Sequence, residues 1–512
     1  MKKKEIFCFS IIFLFSALIN QYYANQGLFP HDSASHFDTG YRILLGDHPV
    51  KDYWIVSGFL VDYLQSLFFF LFGTNWQIYV LHASILNGIL ASSVFYLFYR
   101  FNLNIYLNLF FSICFAILAY PTSGTPFVDH HSTFFSLLGL FSVLLGIKTN
   151  EKKYWFITPI FLTMGLLCKV VPAIYVIAFL TVVLIYFSIV KKKYIFISYI
   201  FYGIISAFFL FYLLLKINDI DLYEFIKQCI LYPQWIGAQR LKNFNFSLFG
   251  FFSNYKFILI SLIPLFLVNF KKALLIDKYV SEKKFIYFLL ILLFSISLLV
   301  HQVLTKNQIF IFFIIPVISA FTFVFIDLKK IFIILIIIFT TFVTVKYHYR
   351  FNENRKFHEL INVNLEKSER ARLIDKKLTG LKWITPQYPN EPRKEIEEIN
   401  QILKILKNEK NNFILLTNYS FLSAVLEINT LNLSRWYTFG GTDHPQANSE
   451  FYNDYKEIFI RRVTNNGVNL IYTVKPVNSS EIYDFIKRDC LKETKLTNFL
   501  TQYRLRSRIC FK

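Results

Sequence analysis

Apolar runs of about 20 residues recur between residues 5 and 346, and a run of that length spans the hydrocarbon core of a bilayer as a helix. In hydrocarbon every backbone N–H and C=O must be satisfied within the fold, so such a chain becomes a helix bundle. Composition agrees: 55% of the residues are hydrophobic, against roughly 45–50% in soluble domains. The formal net charge of +21 does not mark a nucleic-acid binder, because the lysines lie largely in short runs between apolar segments, where they set topology. No zinc-finger spacing, P-loop or GxGxxG is present.

Helices are predicted at about 5–23, 76–99, 103–120 and 132–147, two between 148 and 191, and then at about 195–215, 248–269, 285–302, 308–327 and 330–346, about eleven in all. Met1-Lys2-Lys3-Lys4 ahead of the first run reads as the cytoplasmic flank of a retained signal anchor. Residues 58–73 are apolar but short, and they carry Asp62. This stretch is predicted to lie in the membrane interface. Counting it as a span would put the lysine runs near 148–153, 191–193, 271–272, 283–284 and 329–330 outside, against the charge rule.

The prediction is a multi-pass protein of the cell (inner) membrane with a cytoplasmic N-terminus. Residues 1–346 form the polytopic α-helical membrane domain, with a first outer loop at 24–75, and residues 347–512 form an extracytoplasmic α/β domain. That domain is expected to open on a charged helix over 350–378 and to hold strands near 412–417 and 469–474. Cys8, Cys114 and Cys168 read as small buried hydrophobes, and Cys229 falls in an outer segment. Cys490 and Cys510 can pair in an oxidising compartment, although spacing alone sets no geometry.

On this topology two ionisable segments emerge on the same outer side, His31-Asp32-Ser33-Ala34-Ser35-His36-Phe37-Asp38 and Val128-Asp129-His130-His131. Ionisable groups beside an apolar slab are costly and therefore site candidates. Asp38 faces the same cavity as Asp32 or caps the helix that follows. Asp129 is a helix N-terminal acid, a second functional acid or, with His130 and His131, part of a metal set. Adjacent histidines point to different sides of a helix, which weighs against both binding one ion. Lys169 is a snorkelling anchor or a functional cation on the side lysines avoid. His301, Lys306 and Gln308 either bind phosphate or sugar or form a polar cap. Arg240 and Lys242 read as lipid-headgroup contacts, with donor-phosphate binding as the alternative, and His444 as part of a turn.

The first outer loop runs in order through Phe29-Pro30-His31-Asp32, Tyr41-Arg42, Gly46-Asp47-His48-Pro49 and an apolar helix ending in Phe72-Gly73. This series resembles the first loop of the GT-C membrane glycosyltransferases, and most of all the branch of protein O-mannosyltransferases and aminoarabinose transferases. The resemblance implies that Asp32 takes the position of the general base. Ser33 stands where that branch carries a second acid, which leaves Asp38 as the substitute. Gly165-Leu166-Leu167-Cys168-Lys169-Val170-Val171-Pro172 resembles the branch's helix turn whose lysine faces the lipid phosphate, with Cys168 and Val170 departing from threonine and glycine. The likeness covers about residues 5–190.

It implies transfer of a sugar from a polyprenyl-phosphate donor to a lipid, glycan or protein acceptor on the outer face. A carboxylate would deprotonate the acceptor and a cation would stabilise the departing phosphate. Asp32 and Asp129 would be catalytic; Asp38, His130, Lys169, His301, Lys306 and Arg240 would bind substrate. No cofactor is demanded, and a divalent metal at Asp129 stays open. The alternatives are a transporter or lipid flippase, or a non-enzymatic envelope assembly protein acting through its outer domain. Transporters place ionisable groups and broken helices at the bilayer midplane, whereas the helix interiors here are mostly apolar.

Overall fold

The structure is a computed structural model describing residues 3–242, 244–275, 282–305, 311–437, 442–477 and 480–506. The membrane part comprises α1 (Lys3–Tyr23), α2 (Pro30–Ser33), α3 (Ser35–Leu44), α4 (Leu60–Phe72), α5 (Trp76–Arg100), α6 (Ile105–Leu118), α7 (Val128–Thr149), α8 (Lys152–Cys168) and α9 (Val170–Lys191). It continues with α10 (Ile195–Ile217), α11 (Leu222–Ile226), α12 (Tyr232–Lys242), α13 (Leu248–Leu275), α14 (Lys283–Thr305), α15 (Ile314–Phe325) and α16 (Lys330–His348). Among the described residues nine helices are long and apolar enough to cross a membrane: α1, α5, α6 with its following turn, α7, α9, α10, α13, α14 and α16. α8 and α15 are shorter and pack inside the same bundle.

Close helix approach in lipid depends on small residues, because no water is released between lipid-solvated helices. A Cβ on Gly139 of α7 would come 2.8 Å from the Leu162 side chain of α8, and one on Gly165 of α8 would come 3.1 Å from the Ser132 carbonyl. The outer faces are apolar: Phe201, Phe208 and Phe209 of α10 are exposed, as lipid contact requires. One end of the bundle collects the lysines. There Arg100 pairs with Glu151 at 2.7 Å, Lys193 Nζ donates to Asn150 Oδ1 at 2.9 Å, and Lys283 Nζ donates to the Ile147 carbonyl at 2.7 Å.

The opposite end carries the first loop. α4 buries Asp62, Gln65 and Ser66 and exposes Leu67, Phe70, Leu71 and Phe72. A helix with a polar face against protein and an apolar face outward suits the bilayer interface.

Beyond α16, β1 (Glu369–Arg370) pairs antiparallel with β2 (Lys382–Trp383). α17 (Pro392–Lys407), β3 (Phe413–Leu416), α18 (Leu422–Leu426), α19 (Tyr452–Asn465), β4 (Leu470–Val474), α20 (Ser480–Phe485), β5 (Leu491–Lys495) and β6 (Leu500–Leu505) follow. The four-stranded sheet has the order β3-β4-β6-β5, with β3 parallel to β4 and the other pairs antiparallel. The two expected strands are β3 and β4.

The expected helix over 350–378 is absent. In its place are short 3₁₀ and π turns with left-handed residues at Arg355 and Glu359. Asn364 and Asp375 accept from backbone N–H groups two residues on, the local competition by which Asn and Asp side chains displace helix. The C-terminal region shares a core with the first loop and the start of α5: Leu28, Phe37, Trp76 and Tyr79 cluster with Trp383, Ile396, Leu415, Tyr419 and Leu422.

Candidate functional site

The site is built on a break between α8 and α9. Lys169 is extended (φ −162°, ψ 130°), and Val171 is also non-helical (φ −104°, ψ 124°). The first loop lies directly on this break: a Cβ on Gly58 would sit 1.8 Å from the Leu167 carbonyl oxygen, so no other residue fits at position 58. Ser132 Oγ of α7 donates to the Lys169 carbonyl at 2.8 Å. The side chain of Lys169 is thereby turned onto Asp129 at the start of α7, and Nζ donates to both carboxylate oxygens at 2.8 Å. His301 Nε2 of α14 is 3.1 Å from Asp129 Oδ1. Asp129 is 4% exposed while Lys169 keeps 30% of its side chain open. The carboxylate is thus internal to the cluster, and the lysine is its more open member.

Asp32 stands in the one-turn helix α2, with His31 Nε2 3.6 Å from its Oδ1 and a third of its side chain exposed. Burial of the recess pushes its carboxyl up, His31 and Lys169 draw it down, and the charges of Asp129 and Glu359 push it further up. Asp129, Lys169 and Glu359 are thus near enough to Asp32 to act on its charge. The net direction is upward. A carboxyl raised on folding contributes stability in its protonated form below its unfolded pKa and loses that contribution as pH rises through the folded one. If Asp32 must be ionised to work, activity rises through that same raised pKa. The acid limb of the rate profile is therefore expected above about pH 4, the ordinary aspartate midpoint. In Lys169→Met, which removes one influence drawing Asp32 down, the limb shifts to higher pH. A rate–pH series on both proteins checks this.

Two buried charge clusters brace the site from the loop side. Asp62 of α4 accepts from His36 Nδ1 at 2.6 Å and from Thr39 Oγ1 at 2.5 Å, and it pairs with Arg435 from the C-terminal region. Arg435 also donates to Ser57 Oγ at 2.5 Å and to the Gly58 carbonyl at 3.0 Å. Burial pushes the Asp62 carboxyl up, but Arg435 and His36 outweigh it and hold it below the usual carboxylate range. Nearby, Arg42 bonds Asp47 through Nε and Nη2 at 2.7 and 2.6 Å, Arg462 reaches the other oxygen at 2.7 Å, and the Arg42 guanidinium lies 4.0 Å from the Tyr53 ring centroid. A chain of neutral partners runs behind: Tyr120 hydroxyl to His131 Nδ1 at 2.6 Å, His131 Nε2 to His82 Nε2 at 3.0 Å, and His82 Nδ1 to Gln65 Oε1 at 3.0 Å.

The remaining sequence candidates fall elsewhere. Asp38 is buried in α3, 4.0 Å from Arg42 Nη1, and burial raises its carboxyl. It faces the C-terminal region, not the Asp129–Lys169 pair. His130 is buried among the rings of Tyr120, Phe127, Phe134 and Phe357. Arg240 is exposed at the end of α12, with no hydrogen bond or ion pair to the cluster among the described residues. Lys306, Gln308 and Cys510 lie outside the described residues. His444 is buried, 2.8 Å from Asp443 Oδ2. Among the described residues no group of three or more His, Cys, Asp or Glu is arranged to hold a metal.

Sequence reasoning missed Arg435, Arg462, His82 and His358. Each has a partner outside its own element, as with Asp62 and Arg435, 373 residues apart. Only Asp62, an acid inside an apolar run, signals that a distant cation must exist.

Residues 47–214 match the family of dolichyl-phosphate-mannose-protein mannosyltransferases. No curated protein matches the sequence. In fold, the chain is similar to ArnT from Cupriavidus metallidurans, solved bound to undecaprenyl phosphate: the TM-score is 0.54 over 98% of each chain, at 11% sequence identity.

Proposed function

We propose that this chain, a polytopic membrane protein with the GT-C fold, is an integral-membrane glycosyltransferase that takes a sugar from a polyprenyl-phosphate donor. The observation that carries the proposal is the Lys169–Asp129–His301 cluster, set beside Asp32 at one end of the bundle where a lipid phosphate would lie. Lys169, partly open and held by Asp129, would meet the phosphate whose charge grows as the sugar leaves. Asp32 would accept the proton of the acceptor hydroxyl or amine. Asp129 and His301 would keep the ammonium aimed. The match of residues 47–214 and the likeness to ArnT support this reading. The acceptor would be a lipid, a glycan or a protein. The lysine-rich end would face the cytoplasm, which puts the site, residues 24–75 and the C-terminal α/β region outside.

The test is transfer of radiolabel from a panel of polyprenyl-phosphate sugars, with candidate lipid, glycan and protein acceptors, in membranes holding the wild type or none. Label moved only with the wild type establishes the activity and names the sugar. No transfer from any donor to any acceptor overturns it. Losing a charge-assisted hydrogen bond costs about 1.5–3 kcal/mol. Lys169→Met is therefore expected to raise the donor KM roughly 10- to 100-fold, and Lys169→Arg to recover most of it. Equal donor KM in all three proteins would remove Lys169 from phosphate binding.

A further inference from the structure

The turn that follows the last span has no part in the chemistry above, yet it bonds the segment carrying Asp32. Arg355 is fully buried in a left-handed conformation (φ +44°). Its Nε donates to the Gln26 carbonyl at 3.1 Å, its Nη1 to the Pro121 carbonyl at 2.9 Å, and its Nη2 to the Ser123 carbonyl at 3.1 Å. Nη2 also lies 2.7 Å from His358 Nε2. Nε2 is also 2.8 Å from the Ser123 carbonyl, so the Arg355 side holds one ring nitrogen, while the other, Nδ1, is 2.5 Å from Ser33 Oγ. Ser132 holds the Lys169 backbone, and Ser33 is hydrogen-bonded to the His358 ring.

Ser33 in turn holds α2 together. Its hydroxyl accepts from the Phe29 N–H at 3.0 Å, its own N–H donates to the Phe29 carbonyl at 2.8 Å, and its carbonyl accepts from the Tyr79 hydroxyl at 2.8 Å. A four-residue helix with no side-chain cap at Phe29 does not stand alone, because nucleation costs more than one turn returns. Among the described residues the Asp32 side chain has only the 3.6 Å approach of His31 as an ionic contact. Its direction is therefore inherited from the backbone that Ser33 closes.

We infer that His358 is a positioning residue for Asp32, acting through Ser33. In this arrangement the Arg355–His358 turn orients the carboxylate at the mouth of the site. The inference rests on the proposed role of Asp32 for its kinetic consequence, but not for its structural one.

The imidazole can be divided chemically. Asparagine places an amide, donor and acceptor together, near Nδ1 and keeps the Ser33 link, whereas glutamine reaches the Nε2 position and keeps only the links to Arg355 and the Ser123 carbonyl. A misplacement of about 1 Å at a reacting group costs up to about 100-fold in rate. His358→Gln is therefore expected to lower kcat about tenfold or more with donor KM within about twofold, while His358→Asn stays near wild type. Ser33→Ala, which leaves the Arg355 pocket intact, should match His358→Gln, and combining the two should add little. Hydrogen exchange gives a readout that needs no substrate: the amides of residues 29–34 should exchange faster in His358→Gln and Ser33→Ala than in the wild type or His358→Asn. Equal kcat and equal exchange in the Asn and Gln variants would overturn the inference. So would normal exchange over 29–34 in Ser33→Ala. If the wild type transfers no sugar at all, the exchange comparison still decides the positioning role, and only the transferase reading falls.

Discussion

Replacing Asp32 with asparagine is expected to lower sugar transfer by about 10²- to 10⁴-fold, the usual contribution of a positioned general base. Donor KM and thermal stability should change little. The expectation has three supports. Asp32 keeps a third of its side chain accessible, whereas Asp129 is enclosed by Lys169 and His301. Burial raises its carboxyl, which makes it a stronger base than an exposed aspartate. Among the described residues its one ion-pair contact is His31 at 3.6 Å, so the isosteric amide breaks no buried pair and the fold should survive. The measurement is label transfer at saturating donor, with detergent-purified protein checked for an unchanged unfolding midpoint. Turnover within about twofold of the wild type would exclude Asp32 as the base.

Arg435→Met is expected to destabilise the protein by about 3–5 kcal/mol, because removing one partner of a buried ion pair strands the other charge. Asp62 and Arg435 are both essentially excluded from solvent. Without Arg435, Asp62 keeps only His36 and Thr39. The loss should also propagate: Arg435 holds Ser57 and Gly58, and Gly58 lies on the Leu167 carbonyl two residues before Lys169. Activity should therefore fall more steeply on warming than in the wild type. The double variant Asp62→Leu/Arg435→Met should recover part of the stability, since an apolar pair leaves no buried charge.

The pH dependence follows with a definite sign. Asp62 is lowered on folding, so its contribution is present above the unfolded carboxylate pKa, roughly pH 4. It is lost only as pH falls through the lower folded value. Without Arg435 the Asp62 carboxyl rises, and acid unfolding should begin at higher pH. Thermal unfolding across an acid series checks both points. An unfolding midpoint in Arg435→Met equal to that of the wild type would show that the pair does not hold the loop.

Much of this protein follows from local pattern. Runs of about 20 apolar residues set α1, α5, α7, α9, α10, α13, α14 and α16, because in lipid a segment must satisfy its own backbone. Asp62 inside a short apolar stretch marks α4 as something other than a span. Lys169 next to Pro172 marks the break between α8 and α9. Asp129 at the start of α7 is also a local reading.

What the tertiary structure alone decided is which charges meet. Asp129 meets Lys169, 40 residues on, and His301, 172 residues on. Asp38 turns away toward Arg42, and His130 goes into an aromatic box. The charged stretch after residue 350 becomes a set of turns because Arg355 and His358 are drawn into the loop carrying Asp32. The physical reason is the same in each case. Hydrogen-bond and ion-pair partners are selected by proximity in three dimensions, where burial penalises every unpaired charge. Periodicity and charge order act only along the chain.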